Sequence, residues 1–304
     1  MTRRIFRLLP PGSARIGLLL LALVLAITIF GPAFAPLSPL DFIGTPFQAP
    51  NAQAWLGTDV LGRDVLSRLL LGGYRILGLS ALATVLGVLA GALLGMAAGY
   101  AKGAADEIIM RLLDVVLAFP QIILALLFVS IIGPELWLIV LIVAGFHAPQ
   151  VARVARAATL RVVEEDYVRF AETIGMSRLR ILTQEIFPNI LTPLIVEAGL
   201  RLTYSIALIA GLNFLGLGTQ PPTPDWGLMI NENRIGMATN PWPVLLPVLL
   251  IALLTIGTNL LADALGRAAF GRDGARTDGA GPAAADGNAA AALADGAGIA
   301  EMRA

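Results

Sequence analysis

The sequence contains no cysteine and a single histidine, His147. The lack of cysteine excludes a disulfide framework, a thiolate nucleophile and a cysteine-ligated zinc site. One histidine argues against a multi-histidine metal site and against a serine–histidine triad. The phosphate-binding pattern G-x-x-x-x-G-K-[ST] is also missing, so the chain lacks the motif with which P-loop proteins hold ATP. We therefore expect no catalytic residues, no metal site and no cofactor bound by this chain.

Charged residues are scarce as well. Only 14% of the 304 residues are Asp, Glu, Lys or Arg, and 57% are hydrophobic, whereas soluble domains carry about 25% charged residues. The formal net charge is zero, which argues against nucleic-acid binding because such proteins present a basic face. These values predict an all-α membrane protein.

Long apolar runs support this prediction, because a helix needs about 20 mostly apolar residues to cross a bilayer. A regular series of glycines from Gly78 to Gly99 lies in the second run and favours close helix packing. Pro120 interrupts the third run, and Gly133–Glu135 forms a short hairpin linker to the fourth. The six predicted spans are 16–35, 75–100, 112–132, 136–155, 194–217 and 244–265.

Arginine and lysine predict the orientation, since they are enriched in cytoplasmic loops. Arg3, Arg4, Arg7 and Arg15 precede the first span, and we expect that span to be a retained anchor. Both termini are then cytoplasmic. The predicted organisation is a cytoplasmic segment 1–15, a six-helix transmembrane domain 16–270 and a disordered cytoplasmic tail 271–304, with external loops 36–74 and 218–243 and a cytoplasmic loop 156–192.

The cytoplasmic loop contains a polar, helix-forming stretch, DYVRFAETIGMSRLRILTQEIFPN, from Asp166 to Asn189. Gly175 interrupts it and predicts a turn between two short helices, or the close approach of another backbone. One interpretation is a solvated amphipathic loop that lies on anionic lipid. The other is a docking surface for a soluble partner, which fits better because a lipid-surface helix would show cleaner segregation and more lysine.

The two external loops have their own patterns. In LGTDVLGRDVLSR, Thr58 or Asp59 is expected to cap a short helix, with Asp64 and Arg68 as an i,i+4 pair. The alternative is a surface that docks an external partner or gates the outer mouth. The stretch GLGTQPPTPDWG predicts a rigid outer cap with Trp226 and Trp242 near the membrane interface. The external-loop and gating candidates are Asp59, Arg63, Asp64, Gln220 and Asp225, and the alternative for Gln220 or Asp225 is a direct contact with the substrate.

Ionisable residues within spans are functional candidates by default. Spacing on one helix face instead predicts mutual neutralisation for three pairs: Arg111 with Asp114, Glu197 with Arg201, and Asp263 with Arg267. His147 is expected to form a buried hydrogen bond. Asn213 faces either a neighbouring helix or the transport pathway, and the sequence does not distinguish these alternatives.

Several stretches resemble the membrane subunits of ABC importers. The spacing from Gly175 to Pro188, 13 residues, is similar to that of the EAA loop, although Arg169 replaces the glutamate that names it. The segments 55–76, 111–127, 213–227 and 259–265 resemble the dipeptide, oligopeptide and nickel permease group, specifically its second, C-type subunit. The resemblance covers about residues 15–271.

This resemblance implies a type I importer permease fold with a cytoplasmic coupling helix, in the bacterial inner membrane. Its implied partners are a homologous permease, two cytoplasmic ATPases that carry ATP and magnesium, and an extracytoplasmic solute-binding protein. Peptides are the implied solute, with nickel as the alternative, and an ATPase-independent secondary transporter is the rival class. The implied coupling residues are Arg169, Ala171, Glu172, Gly175, Ser177, Arg178, Arg180 and Pro188.

Overall fold

The computed structural model describes the backbone of residues 12–277 and the side chains of residues 12–268. Within this part of the chain every regular element is helical, and β pairing is limited to two isolated bridges, Phe42 with Arg63 and Thr58 with Asp64. The α-helices are α1 (Ser13–Phe30), α2 (Val65–Leu71), α3 (Gly73–Ala101), α4 (Gly103–Leu117), α5 (Gln121–Ile132), α6 (Leu136–Val163), α7 (Asp166–Thr173), α8 (Arg178–Arg180), α9 (Phe187–Phe214), α10 (Trp226–Asn233) and α11 (Trp242–Thr277).

Five of the described helical segments are long and apolar enough to cross a membrane on their own. The pair α4 and α5 counts as a sixth span only as a broken one, because its two helices meet at 79°. Pro120 is the N-cap residue of α5, and proline cannot continue the preceding helix because it lacks an N–H and clashes with the turn before it. The all-α membrane fold is therefore confirmed, with the third span strongly bent.

The closest helix packing joins α3 to α6. The ideal Cβ positions of Gly87 and Gly99 lie 2.8 Å from the His147 Cβ and 2.9 Å from the Thr159 Cβ, respectively. Gly91 and Gly95, between them, are just as close to the α6 backbone. Small residues on one face allow two helix backbones to approach within van der Waals contact. The exception in the predicted series is Gly78, whose Cβ position has no neighbour within 4 Å.

The remaining long helices pack around this pair. Helix α1 lies against α11, where the Cβ position of Gly17 is 2.8 Å from the Leu260 Cβ. Helix α9 contacts α3, α6 and α11, so it is the central helix of the other half of the bundle. The short helices lie at opposite ends: α2 and α10 at one end, called here the cap end, and α7 and α8 at the other, called the α7 end.

Three helices extend well beyond the predicted spans. Helix α6 continues to Val163, and α9 begins at Phe187, so the connecting segment is shorter than the predicted loop 156–192. Helix α11 continues to Thr277 and covers the first residues of the predicted tail. The rest of the tail, 278–304, and residues 1–11 lie outside the described residues.

Candidate functional site

The segment between α6 and α9 is attached to the bundle through one face of α7. Val168 and Ala171 are buried on that face. They pack with Ile181, Ile186 and Ile190 in an apolar cluster that also includes residues of α3 and α6. This burial fixes α7 across the end of the bundle, in contact with both halves of the chain that it connects.

The turn after α7 is a Schellman motif. The Met176 N–H donates to the Ala171 carbonyl and the Gly175 N–H donates to the Glu172 carbonyl, both at 3.0 Å. Gly175 has φ +77°, the left-handed conformation in which glycine has no Cβ penalty. Its Cβ position is open, with nothing within 4 Å. Of the two predicted reasons for Gly175, the structure therefore shows the turn and not a close backbone approach.

The outer face of this segment is apolar. Phe170, Ile174 and Leu179 are 66%, 62% and 72% exposed, and we call these three side chains the exposed ridge. They project from the same segment whose opposite face is anchored by Val168 and Ala171. A group of large exposed apolar side chains among charged residues is typical of a protein interaction surface.

Polar contacts tie the segment to the end of α3. Glu164 accepts from the Lys102 ammonium at 2.9 Å and from the Arg169 guanidinium at 3.0 Å. The Tyr100 hydroxyl donates to Glu172 Oε1 at 2.9 Å. The hydrogen bond and charge of Lys102, with those of Arg169, lower the pKa of Glu164 below its ordinary value. These contacts join the α7 segment to α3 as well as to α6 and α9.

A short stretch of π-helix, Ile181–Ile186, joins α8 to α9. Pro188 lies in the first turn of α9, directly after this π-helical stretch. Such π segments are frequent at functional sites. The whole run from Arg178 to Phe214 is consequently one helical body that begins beside the exposed ridge and ends at the cap end.

The predicted coupling residues occupy different positions in this geometry. Arg178 and Arg180 are exposed, and Ser177 precedes α8 without a side-chain cap bond. Arg169 and Glu172 make the polar contacts to Glu164 and Tyr100, and Ala171 is buried. The coupling residues predicted from the sequence were mainly charged or polar, and they did not include the exposed ridge of Phe170, Ile174 and Leu179. Their apolar character in a charged segment was the available signal.

A buried ionic network holds the cap end together. The side chains of Arg63 and Arg68 both reach Asp59 Oδ2, at 2.7 and 3.3 Å, and both reach Glu232 Oε2, at 3.1 and 2.9 Å. The Val60 N–H also donates to Asn233 Oδ1 at 2.9 Å. The loop before α2 is therefore joined to α10, far away in the sequence.

Two predictions for this loop are wrong. Asp64, rather than Thr58 or Asp59, caps α2, accepting from the Ser67 N–H at 2.7 Å. Arg68 pairs with Asp59 and Glu232 and not with Asp64. Capping directs the Asp64 carboxylate to its own helix terminus, away from Arg68 one turn later.

Asp225 plays the same part for α10. Its Oδ1 accepts from the Gly227 and Leu228 N–H groups at 2.9 and 3.3 Å, and from the Asn213 amide at 2.9 Å. Burial raises the pKa of Asp225 to about 6, although these hydrogen bonds oppose the shift. Asn213 faces this neighbouring segment, which decides between its two predicted environments. Gln220 is exposed and donates to the Gly216 and Gly218 carbonyls at 3.1 and 3.0 Å.

Trp226 is buried, in contrast to its predicted place at the membrane interface. Its indole N–H donates to the Leu69 carbonyl at 2.8 Å, and its ring fills the space beside Gly72 and Gly73. Trp242 is partly exposed. The side chain of Trp226 therefore connects α2 to α10 beneath the ionic network.

The predicted ion pairs within the spans have mixed outcomes. Glu197 and Arg201 do pair, at 2.9 Å, and His147 Nε2 makes a buried hydrogen bond with the Ser205 hydroxyl at 2.8 Å. The other two pairs are wrong: Arg111 contacts Glu107, Asp114 contacts Arg153, and Arg267 donates to the Ser13 hydroxyl. In each case the charged side chain lies closer to a residue on a neighbouring turn or helix than to its predicted partner.

Comparison with known proteins identifies a family for the chain. Residues 87–270 match the family model of the binding-protein-dependent transport system inner membrane component. The chain is 39% identical to the di/tripeptide transport system permease protein DppC of Pseudomonas aeruginosa, over 82% of this chain and 84% of that protein.

Two further relatives are named for glutathione and for dipeptide transport. The glutathione transport system permease protein GsiD of Pectobacterium atrosepticum is 40% identical, over 72% of each chain. The dipeptide transport system permease protein DppC of Alkalihalophilus pseudofirmus is 35% identical, over 83% of each chain. The protein therefore belongs to the family of binding-protein-dependent transport system inner membrane components, as a non-catalytic, multi-pass permease subunit.

Proposed function

We propose that this chain and a homologous permease together form the translocation path for di- or oligopeptides in an ATP-driven importer. ATP and magnesium are held by two ATPase subunits at the α7 end, and a solute-binding protein delivers the peptide at the cap end. Movement of the ATPases displaces α7, and the attached α3, α6 and α9 then switch between inward- and outward-facing arrangements.

The exposed ridge is the observation that carries this proposal. Its three side chains are exposed on a segment whose other face is packed against the bundle. The exposed ridge is therefore held in a fixed position on the surface. A soluble partner that buries it gains about 1.5–3 kcal/mol for each large apolar side chain removed from water. A secondary transporter works without ATPase subunits and would need no docking surface of this kind.

The first test is co-purification of the ATPase subunits with the tagged chain in mild detergent. We expect Phe170→Asp and Ile174→Asp, separately and together, to reduce the recovered ATPase at least tenfold. Both side chains are exposed, so the substitutions remove the contact without opening the core of the chain. Gel filtration of the detergent-solubilised protein checks that each variant stays folded.

Leu61→Asp is the matched control, since Leu61 is a similarly exposed apolar side chain at the cap end. It is expected to retain the ATPases. Full retention of ATPase by the double variant, or a well-folded wild type that recovers none, would contradict the proposed docking site.

Peptides are the favoured solute because the three relatives described above are named for di/tripeptide, dipeptide and glutathione transport, and glutathione is itself peptide-like. Uptake of a labelled dipeptide into cells that express the complete system tests this choice. Competition by unlabelled tripeptide or glutathione would show which class of peptide is transported. Uptake of nickel without uptake of peptide would favour nickel as the solute.

A further inference from the structure

A cluster of polar side chains crosses the middle of the bundle. The Ser205 hydroxyl lies 2.8 Å from both the Thr84 hydroxyl and His147 Nε2. These three residues belong to α9, α3 and α6, and each lies in the middle third of its helix. They bring hydrogen-bonding groups from three membrane-spanning helices to one depth.

One helical turn earlier on α9 is an intramembrane cation. The Arg201 guanidinium pairs with Glu197 at 2.9 Å, donates a hydrogen bond to Gln150 Oε1, and stacks over the Tyr204 ring at 5.0 Å from its centroid. A guanidinium has five N–H donors, and these contacts use only part of them. Arg201 is therefore held in place while it keeps donors for a further anion.

The neighbouring surface of α9 combines an exposed aromatic side chain with small residues. Tyr204 is 58% exposed, and the exposed residues that follow it towards the cap end, Ala207 and Gly211, are small. We call these three residues the α9 strip. On α3, the exposed residues near the same depth include the large apolar Leu82, Val85, Leu86 and Leu89, with the smaller Ala81 and Ala90 beside them. A charge beside the α9 strip is unsuited to lipid, and ionisable groups within spans characteristically face substrate pathways.

We propose that the α9 strip lines the water-filled path through the membrane and that Arg201 binds the carboxylate of the passing peptide. Glu197 offers the opposite charge one turn away, which matches the ammonium group of a zwitterionic peptide. The ion pair would keep Arg201 neutralised between transport events, and the peptide carboxylate would replace part of that contact. This inference rests on the proposed peptide transport, but the position of the path is independent of it.

The absence of native cysteine in this chain allows a direct test by single-cysteine labelling. Tyr204→Cys is compared with Val85→Cys, which is similarly exposed at 53% and adjoins Thr84, the hydroxyl partner of Ser205. A charged, membrane-impermeant thiosulfonate is applied to the assembled complex in lipid, without nucleotide and with ATP. Labelling of this chain is measured by mass spectrometry.

We expect Tyr204→Cys to react at least tenfold faster than Val85→Cys in one of the two nucleotide states, with peptide slowing the reaction. If removal of the tyrosine prevents folding, Ala207→Cys replaces it on the same strip. Failure of both strip positions to react in either state, or equal reaction at Val85→Cys, would overturn the proposed position of the path.

The role of Arg201 requires a second readout, because a merely structural ion pair would also lower transport when removed. The charge-balanced variant Glu197→Gln/Arg201→Gln is compared with wild type for uptake of a dipeptide and of its C-terminal amide. Both compounds are first shown to bind the isolated solute-binding protein. We expect the ratio of dipeptide to amide uptake to fall at least fivefold in the variant.

An equal loss of both compounds would contradict carboxylate binding and leave Arg201 a structural role. Absence of peptide uptake in wild type would instead defeat the proposed solute. In that case the cysteine comparison still decides whether the α9 strip is part of a water-filled path.

Discussion

At the scale of single residues, Asp225 is subject to two opposing effects: hydrogen bonds that stabilise its carboxylate and burial that disfavours the charge. Its carboxylate caps α10 and holds Asn213, yet burial raises its pKa from 3.8 to about 6. The folded protein therefore binds this proton more tightly than the unfolded chain does. The resulting stabilisation is complete below about pH 4 and is lost as the pH rises through about 6.

We therefore expect Asp225→Asn to keep the cap, because the amide oxygen still accepts hydrogen bonds, and to remove this pH dependence. The Tm of each protein is measured at pH 5 and at pH 7.5, with size-exclusion chromatography used to monitor how much folded protein remains after heating. The difference in Tm between variant and wild type should favour the variant more at pH 7.5 than at pH 5. Asp225→Ala should lose about 1 kcal/mol from the missing cap, and an unchanged pH dependence in Asp225→Asn would contradict the assigned pKa.

Residue identity alone predicted some of these local features. The turn at Gly175 followed from the glycine within a helix-forming stretch, because few other residues adopt positive φ. The cap at Asp64 did not, since Thr58, Asp59 and Asp64 are all good capping residues. The choice depends on where the chain turns, at Gly62 with φ +79°, and on Asp59 being drawn into the network with Arg63 and Arg68. The part of this network that joins Arg63 and Arg68 to Glu232 is long-range and leaves no local sequence signal.

At the scale of helices, the α3–α6 interface depends on residues that lack a side chain. A Cβ at Gly91 would lie 2.5 Å from the Ala148 carbonyl oxygen and 2.6 Å from the Val151 Cβ. Because both atoms belong to the closely packed α6, they cannot move aside without moving that helix. The interface is thus intolerant of even one added methyl group.

We expect Gly91→Ala to destabilise the protein by about 1–3 kcal/mol, the usual cost of overpacking. Gly78→Ala is the matched control on the same helix, because its Cβ position is open; it should be neutral or stabilising by up to about 1 kcal/mol through helix propensity. Thermal stability of the purified proteins in detergent provides the comparison. Equal Tm values for the two variants would argue against the tight interface.

The sequence predicted which apolar runs are helices more reliably than where the helices end. Beyond Ala155 the hydropathy of α6 falls, yet the helix continues because Thr159 still packs against Gly99 and Arg156 pairs with Asp106 on α4 at 2.5 Å. Pro120 correctly indicated a break in the third span. The 79° angle between α4 and α5 depends on packing against α6, which the local sequence does not encode.

At the scale of the whole molecule, the two ends have different chemistry. The cap end contains buried ion pairs and a buried indole and also exposes apolar side chains such as Trp55 and Ile235, whereas the α7 end presents the exposed ridge among exposed charged residues. The distribution of arginine and lysine predicts that the α7 end is cytoplasmic. We therefore expect a single cysteine at Ala52 to react with an impermeant maleimide applied to intact spheroplasts.

A single cysteine at Ala105 is the counterpart of Ala52, since it is also an exposed alanine but lies just after α3, near α7. It should react only after the membrane is permeabilised. The reverse pattern would invert the orientation and place the exposed ridge outside the cell, where no ATPase could reach it.

The glycine face of α3 has a consequence for synthesis of the chain. Its packing partner α6 follows only after α4 and α5, so α3 enters the bilayer well before the helix that covers it. During that interval the glycine face is in contact with lipid or with the insertion machinery. A nascent chain that stops at Ile132 thus contains the second span without its partner, which makes arrival of α6 the step that completes this half of the bundle.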